Sequence, residues 1–290
     1  MIKEVYDADT VKRGEIEMKK FSKFLVAGVL VASMALFAGC GGGEEKAPAE
    51  EEGGTEEAVV LTVGTNAEFA PFEYVNEEDG KTIEGFDIDL IKAIAEDQGM
   101  EVEVQNMGFD GLVMAVQNGS IDACVAGMSV TPERLKQVDF TETYFDAGLS
   151  IAVPAEGSDI KTEEDLKGKV VAAQIGTTGA AKCAELQEAG IVKEAKILEN
   201  INVCMMDMKN GSTDAVIMDI PVNAAYAAAH PEEVVIASEF TVPEGEEEQF
   251  AIAVKKGNAD LLDKLNAGLK NIKENGTYEK LIDKYFGAAE

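Results

Sequence analysis

One short stretch occurs twice in this chain, as Asn118-Gly-Ser-Ile-Asp-Ala123 and as Asn210-Gly-Ser-Thr-Asp-Ala215. Each copy follows a helical pattern and leads into a short apolar strand. Arg134 lies shortly after the first of these strands, and Asp219 directly follows the second. Ligands of open α/β sheets bind at the carboxyl ends of strands. We therefore expect two similar units that present opposite charges to one zwitterion.

Hydrophobic patterns around the two copies predict an α/β fold with two lobes. From residue 59 to 126 the order strand, helix, strand, helix, strand favours a mostly parallel sheet covered by helices. A second series of strands and helices starts near residue 149, and a strand at 250–254 precedes two final helices. We predict one lobe from residues 59–148 plus 249–290, with residues 149–248 inserted as the other. Two chain crossings would form a two-strand hinge beside an interlobe cleft.

The front of the chain is typical of an export signal. Met18 opens a stretch with three lysines, and an almost wholly apolar run then extends to Phe37. This pattern is that of a secretory signal rather than of a membrane span. The run ends in Leu36-Phe37-Ala38-Gly39-Cys40, which resembles a bacterial lipobox. Cys40 is therefore the expected lipidation site.

The signal defines the expected processing and location. Residues 1–39 are predicted to be an upstream extension plus a lipoprotein signal peptide, with translation starting at Met18. Residues 40–58 are acidic and contain Gly and Pro, which is typical of a flexible tether. The mature protein is expected outside the cytoplasm, anchored to the bacterial membrane through the lipid on Cys40.

Composition excludes several classes of partner. A formal net charge of −30 argues against binding to nucleic acid or to an anionic membrane surface. The chain has one histidine and four cysteines, without a C-x-x-C pair, so we expect no metal site and no cofactor. An exported protein allows a Cys183–Cys204 disulfide, although free thiols are the favoured expectation.

Arg134 is the leading candidate for binding an anion. It lies in the first turn of a helix that Thr131-Pro132-Glu133 is predicted to start. A cation in that turn opposes the helix dipole by about 0.3–1 kcal/mol. A charge in a locally unfavourable position without an evident structural benefit indicates function. The planar guanidinium can form two parallel hydrogen bonds with a carboxylate. The alternative is an exposed arginine paired with Glu133 or Asp139.

Neighbouring groups are expected to share that anion. Gly127, Met128 and Ser129 precede the helix of Arg134 and offer backbone N–H groups and a hydroxyl. Thr177 and Thr178 open a helix in the second lobe, where N–H groups and the helix dipole also favour an anion. A glycine-rich start of this kind is common, so it supports the hypothesis only together with Arg134.

Opposite charge and aromatic surface complete the candidate site. Asp219 ends an apolar strand, and a substrate ammonium would satisfy its charge; capping the following segment is the alternative. Phe69 and Phe109 stand among polar or small residues and are placed to clamp the side chain of a ligand. Phe72 and Phe86 are expected in the core.

Four motifs, in order, give the chain a family resemblance. The motifs are Asn66-Ala-Glu-Phe-Ala-Pro-Phe-Glu-Tyr74, Gly85-Phe-Asp-Ile-Asp-Leu90, Gly127-Met-Ser-Val-Thr-Pro-Glu-Arg134 and Asn275-Gly-Thr-Tyr278. With them, the sequence from about residue 59 to 287 resembles the family 3 bacterial solute-binding proteins, which are the polar-amino-acid receptors of ABC importers. The resemblance implies a type II periplasmic-binding-protein fold that closes around one free L-amino acid and delivers it, as a monomer, to a membrane permease.

The resemblance also implies individual roles. Arg134 would bind the α-carboxylate with help from Ser129 and the Thr178 amide. The Gly127 carbonyl and the Asp219 carboxylate would bind the α-ammonium. The side chain would lie between the two clamping phenylalanines.

Selectivity is expected to depend on polar residues around the ligand side chain. Asn66 is neutral where receptors for basic amino acids often carry aspartate, and Gln174 stands where some glutamine receptors have lysine. Glu68 would supply an anion if it points inward. These residues favour a neutral polar amino acid such as glutamine, with basic amino acids next.

The same scaffold also hosts cyclohexadienyl dehydratases, so an enzyme is the alternative. Glu68 or Glu73 is the available general acid, but neither comes with a partnered base in the sequence. We therefore expect a binding protein without catalytic residues.

Overall fold

Two mixed five-stranded sheets organise the computed structural model, which describes residues 59–243 and 247–287. The strands are β1 (Val59–Thr65), β2 (Glu68–Phe69), β3 (Glu73–Val75), β4 (Ile83–Glu84), β5 (Met100–Asn106), β6 (Ala123–Cys124), β7 (Val138–Phe140), β8 (Phe145–Asp146), β9 (Leu149–Pro154), β10 (Val170–Gln174), β11 (Glu194–Leu198), β12 (Ala215–Asp219), β13 (Val234–Glu239), β14 (Gln249–Phe250) and β15 (Ala253–Lys255). The helices are α1 (Phe86–Asp97), α2 (Phe109–Asn118), α3 (Pro132–Leu135), α4 (Thr178–Glu188), α5 (Ile201–Lys209), α6 (Ile220–Ala229), α7 (Ala259–Glu274) and α8 (Thr277–Phe286). The predicted signal, tether and Cys40 lie outside the described residues.

The first sheet has the strand order β5-β1-β6-β15-β7. β1 runs parallel to β5 and to β6, with α1 and α2 as the crossover helices, which confirms the predicted strand-helix alternation. β15 returns from the end of the chain and pairs antiparallel to both β6 and β7. The predicted strand at 250–254 is in fact split into β14 and β15, because its two ends pair with different strands.

The second sheet has the order β11-β10-β12-β9-β13. β10 is parallel to β11 and β12, whereas β9 is antiparallel to β12 and β13. A capping box is present at Thr162, where the Thr162 and Asp165 side chains cap a short 3-10 turn. The chain therefore builds two parallel β-α-β cores and closes each with antiparallel strands.

The repeated motif makes the same contacts in both sheets. The Thr62 N–H donates to Asp122 Oδ2 over 2.9 Å, and the Val170 N–H donates to Asp214 Oδ2 over 2.7 Å. The glycine of each copy has a positive φ, 76° and 71°, which lets the chain turn out of its helix. Each copy therefore joins the end of a helix to the neighbouring strand.

The two segments that connect the sheets run side by side. β8 pairs antiparallel with β14, and the Ala147 N–H donates to the Glu248 carbonyl over 2.7 Å. This pairing brings Glu248 next to the ends of strands from both sheets.

The cores are apolar and partly aromatic. Phe72 and Phe86 are fully buried, as predicted, and pack edge-to-face at 6.0 Å between ring centroids.

Cys124, Cys183 and Cys204 are buried free thiols, so the Cys183–Cys204 disulfide that the sequence allows is not formed. Burial raises the pKa of the Cys183 and Cys204 thiols to about 12, which makes them poor nucleophiles. Within residues 59–243 and 247–287 no helix has the length and apolarity that crossing a bilayer requires.

Candidate functional site

A cavity lies where strand ends and helix starts of the two sheets face each other. Its lining combines two phenylalanines, two acids, one arginine, two amides and several small or hydroxyl residues. The lining residues are Asn66, Phe69, Glu73, Phe109, Gly127, Ser129, Arg134, Gln174, Thr177, Thr178 and Asp219. Ten of the twelve candidates from the sequence are therefore brought together around one space.

Arg134 reaches the cavity from the first turn of α3. Its own N–H is capped by the Thr131 hydroxyl over 3.2 Å, and its side chain is 8% exposed. One guanidinium N–H₂ group donates to the Ser129 carbonyl over 2.6 Å, and the other donates to the Gly176 carbonyl over 3.0 Å. The guanidinium carbon lies 5.4 Å from the centroid of the Phe109 ring. Arg134 is thus neither exposed nor paired with Glu133 or Asp139.

The electrostatics of Arg134 leave its positive charge in place. Burial lowers the pKa of the guanidinium, while the nearby charges of Asp219 and Glu248 act in the opposite direction. Arginine stays protonated in proteins under these conditions. Among the ion pairs of the described residues none involves Arg134 or Asp219 within 4 Å. The two opposite charges therefore share a cavity without neutralising each other by direct contact.

Asp219 closes β12 and opens α6. It is 5% exposed, one of its carboxylate oxygens has no hydrogen-bond partner among the described residues, and its side chain does not cap α6. Burial raises the pKa of Asp219 well above its ordinary range; the charge of Glu248 raises it further and that of Arg134 lowers it. The capping alternative is therefore wrong for this carboxylate. A cationic group in the cavity would stabilise its ionised form.

The start of α4 contributes two threonines with different tasks. The Thr177 hydroxyl accepts from the Ala180 N–H over 3.0 Å, so it caps the helix. The Thr178 hydroxyl instead donates to Glu248 Oε2 over 3.0 Å. A Cβ on Gly179 would lie 2.7 Å from the Ile217 carbonyl oxygen, so a glycine is required where α4 meets β12.

Two amides join the sheets across the cavity. Gln174 Nε2 donates to Asn66 Oδ1 over 2.9 Å, and Asn66 Nδ2 donates to the Met107 carbonyl over 3.1 Å. Both groups of the Asn66 amide are thus engaged by the protein itself. The geometry places Asn66 as a bridge between the two sheets.

The two phenylalanines of the predicted clamp both line the cavity. Phe69 is 8% exposed and lies directly against Gly127, where an added Cβ would be only 2.6 Å from the ring. Gly127 also has a φ of +50°, a conformation that other residues rarely adopt. Glycine is therefore needed at 127 both for the backbone and for the Phe69 ring.

Glu68 and Met128 are not among the lining residues. The Met128 side chain is fully buried in the apolar cluster beneath α2, so only its backbone is near the site. Burial, followed by the charge of Glu199, raises the pKa of Glu68, which lies in β2. The sequence suggested Glu68 as an anion if its side chain pointed inward, and Met128 for its backbone N–H group.

Two acids at the site were not predicted as ligand contacts. Glu73 lines the cavity floor, fully buried, and the sequence singled it out only as a general acid for the enzyme alternative. Glu248 accepts from the Ser129 hydroxyl over 3.1 Å as well as from Thr178. The sequence did not single out Glu248, because it is the last of several adjacent glutamates. Among the described residues no group of three or more His, Cys, Asp or Glu side chains could hold a metal ion.

Comparison with known proteins gives the class. Residues 61–288 match the bacterial extracellular solute-binding proteins, family 3, and the chain belongs to that family. It is similar to the arginine-binding extracellular protein ArtP of Bacillus subtilis (strain 168), at 34% identity over 272 residues. That alignment covers 93% of this chain and 98% of ArtP.

Solved structures confirm the fold. A structure of an ancestral arginine-binding protein bound to arginine matches with a TM-score of 0.73 and 43% identity, covering 79% of this chain and 98% of the other. The ancestral amino acid-binding protein AncCDT-1, a precursor of cyclohexadienyl dehydratase, matches with a TM-score of 0.70 and 37% identity, covering 78% and 95%. The predicted type II periplasmic-binding-protein fold is therefore confirmed.

Proposed function

We propose that this protein is the extracytoplasmic receptor of an ABC importer that binds one free amino acid and delivers it to a membrane permease. The observation that carries the proposal is the presence of buried, oppositely charged Arg134 and Asp219 on one cavity without a direct ion pair. A zwitterion supplies both missing counter-charges at once. Lobes of residues 59–148 plus 249–290 and of residues 149–248 would close on it, with the lipid anchor on Cys40 holding the monomer at the membrane.

Each end of the amino acid has a matching set of groups. The α-carboxylate would meet the free N–H groups of Arg134, the Ser129 hydroxyl and the N-terminal amides of α4 at Thr178. The α-ammonium would meet the Gly127 carbonyl and Asp219. Closure then follows from population shift, because the ligand contacts both lobes only when they are together.

The charges of the cavity favour a basic amino acid over glutamine as the cargo. Asp219 lines the cavity and Glu248 lies beside it, whereas Arg134 is the one cationic residue among the described lining residues. A neutral zwitterion leaves this excess of acids unbalanced, but arginine, lysine or histidine adds a compensating positive charge. The Asn66 amide argued for glutamine, yet its hydrogen-bonding groups are already engaged by Gln174 and Met107.

Calorimetric titration against all twenty amino acids tests the proposal. We expect dissociation constants in the micromolar range or below for basic amino acids, and weaker binding of glutamine. Arg134→Ala should weaken every amino acid together, by about 2–5 kcal/mol, since it removes the common carboxylate contact. Lys136→Ala, next to the same short helix but exposed, is the control. Normal binding by Arg134→Ala, or no binding of any amino acid by the wild type, would refute the assignment.

A dehydratase is the second candidate, and one observation favours it. Glu73 is a buried acid on the cavity lining whose pKa is raised well above its ordinary range, first by burial and then by the charge of Asp87. A neutral carboxylic acid is what a general acid requires. Turnover of prephenate or arogenate would support this candidate, and the absence of turnover together with amino-acid binding would exclude it.

A further inference from the structure

Glu248 already accepts from a hydroxyl that the proposed function assigns to the cargo. Its Oε2 accepts from the Ser129 hydroxyl over 3.1 Å and from the Thr178 hydroxyl over 3.0 Å. Ser129 lies at the end of the first sheet, and Thr178 starts α4 on the second. Arg134, which binds the Ser129 carbonyl, acts on the Glu248 charge as well. A carboxylate of the protein thus sits among the donors expected for an α-carboxylate.

The backbone fixes Glu248 in this position. The Glu248 carbonyl accepts from the Ala147 N–H over 2.7 Å, and the carbonyl of the next residue, Gln249, accepts from the Val130 N–H over 2.9 Å. These bonds hold the crossing segment directly beside Ser129. The side chain therefore enters the site from a fixed point between the two sheets.

A hydroxyl has only one proton to donate. Because Oε2 of Glu248 uses the protons of both Ser129 and Thr178, a cargo carboxylate can receive neither until Glu248 moves away. The two carboxylates also repel each other when both are ionised. Glu248 and the cargo carboxylate therefore compete for the Ser129 hydroxyl, and Glu248 also holds the Thr178 hydroxyl beside the amide assigned to the cargo.

We propose that Glu248 is a built-in substitute for the cargo carboxylate, which amino acids must displace and which lets the same site accept decarboxylated amines. An amine brings an ammonium for Asp219 but no anion for Arg134, Ser129 and Thr178. With Glu248 in place the Ser129 and Thr178 hydroxyls already have an anionic acceptor, whose charge also acts on Arg134 without a direct ion pair. The ligand class implied is a cationic amine such as agmatine, which is arginine without its carboxylate. This inference rests on the proposed amino-acid binding and adds a second class of ligand.

The proposal predicts effects of opposite sign from one substitution. Glu248→Gln keeps the shape but replaces a charged acceptor by a neutral one, which holds hydroxyl protons less strongly. Arginine should then bind about tenfold more tightly, because displacement is easier. Agmatine should bind about tenfold more weakly, because the site loses the carboxylate that replaces the one the amine lacks. Glu248→Ala should shift both affinities in the same directions as Glu248→Gln.

Titration calorimetry with arginine and agmatine, on wild type, both Glu248 variants and Glu239→Gln, tests this. Glu239 is an exposed acid at the end of β13, so Glu239→Gln removes the same charge away from the cavity and should change neither affinity. If the wild type binds a different amino acid, that amino acid and its decarboxylated form replace the pair.

Each outcome decides the question. Opposite shifts for amino acid and amine support the proposal. Weaker binding of both ligands by Glu248→Gln would mean that Glu248 only fastens the sheets together, and unchanged amino-acid affinity or no amine binding by the wild type would equally overturn it. If the proposed function itself is wrong, the wild type binds no amino acid at all. That result can be distinguished from a failure of the Glu248 proposal.

Discussion

Replacing Glu73 by glutamine should remove a pH dependence from the stability of this protein. Glu73 is fully buried on the cavity floor, and neither of its carboxylate oxygens has a donor among the described residues. It contacts Asp87, whose Oδ2 accepts from the Tyr144 hydroxyl over 2.6 Å and from the Gly127 N–H over 2.7 Å. Two ionised carboxylates cannot hydrogen-bond to each other, so this contact requires a proton, which we place on Glu73.

The cause of the effect is the unequal pKa of the two acids in the folded and unfolded chain. Burial, and then the charge of Asp87, raise the pKa of Glu73 well above its ordinary value of 4.5. Burial also raises the pKa of Asp87 to about 6, although the hydrogen bonds from Tyr144 and Gly127 oppose the shift. The folded state therefore keeps the Glu73 proton at pH values where the unfolded chain has lost it.

The sign and size of the effect follow from proton linkage. Since the folded state binds more protons, the free energy of unfolding falls as pH rises above 4.5, by about 1.4 kcal/mol per pH unit for one proton. The decline ends only where folded Glu73 itself ionises. The glutamine introduced by Glu73→Gln carries an amide that can donate to Asp87 in place of the acid proton. For each pH unit above 4.5 over which folded Glu73 keeps its proton, the variant should therefore avoid a loss of about 1.4 kcal/mol, or roughly 3–6 °C in melting temperature.

Thermal and urea unfolding at about pH 5, 6 and 7 measure this difference. The slope of unfolding free energy against pH should be less negative in Glu73→Gln than in the wild type by about one proton. Glu133→Gln is the matched control, because Glu133 has a 75% exposed side chain on α3. Parallel slopes for Glu73→Gln and wild type would show that Glu73 is already ionised when folded. They would refute the proton placed between Glu73 and Asp87.

Two substitutions test the walls of the cavity. Asn66→Asp removes the amide that donates to the Met107 carbonyl, so it should destabilise the fold by about 1–3 kcal/mol. It should also raise the arginine-to-glutamine affinity ratio about tenfold. An unchanged ratio in competition calorimetry would show that Asn66 does not select the ligand. Gly127→Ala places a Cβ 2.6 Å from the Phe69 ring at a φ of +50°, so it should lower the melting temperature and weaken all amino acids alike; wild-type affinity would contradict the assigned contact.

Local sequence signals determine most of the architecture. The Asn-Gly-Ser-x-Asp-Ala motif is predictable because every part of it acts nearby: glycine ends the helix, and the aspartate binds the start of the adjacent strand. The segments that connect the sheets could be located because apolar strands stop and restart there. By contrast, α6 and β13 had no clear pattern: α6 is alanine-rich and apolar nearly all round, and β13 is an edge strand with a bulge.

The sequence indicates a site residue where a charge stands in a locally unfavourable setting. It does not indicate a residue whose importance comes only from burial in the folded chain. Arg134 and Asp219 stood out as charges in unfavourable local settings. Glu73 looked like an ordinary acid between two aromatic residues, and its importance comes from Asp87, fourteen positions later, and from complete desolvation. Glu248 was one of several neighbouring glutamates, and only the pairing of the two crossing segments selects it.

The surroundings of Arg134 explain how a cation at a helix start can serve both stability and binding. Its two resolved hydrogen bonds go to main-chain carbonyls, Ser129 on one side of the cavity and Gly176 on the other. Carbonyl dipoles stabilise the charge without cancelling it, and a guanidinium has five N–H donors, so three remain. A carboxylate bound to those three would strengthen a bridge that already spans the two sheets. The free energy of binding and the free energy of holding the lobes together would then come from the same side chain, which is what population shift toward a closed form requires.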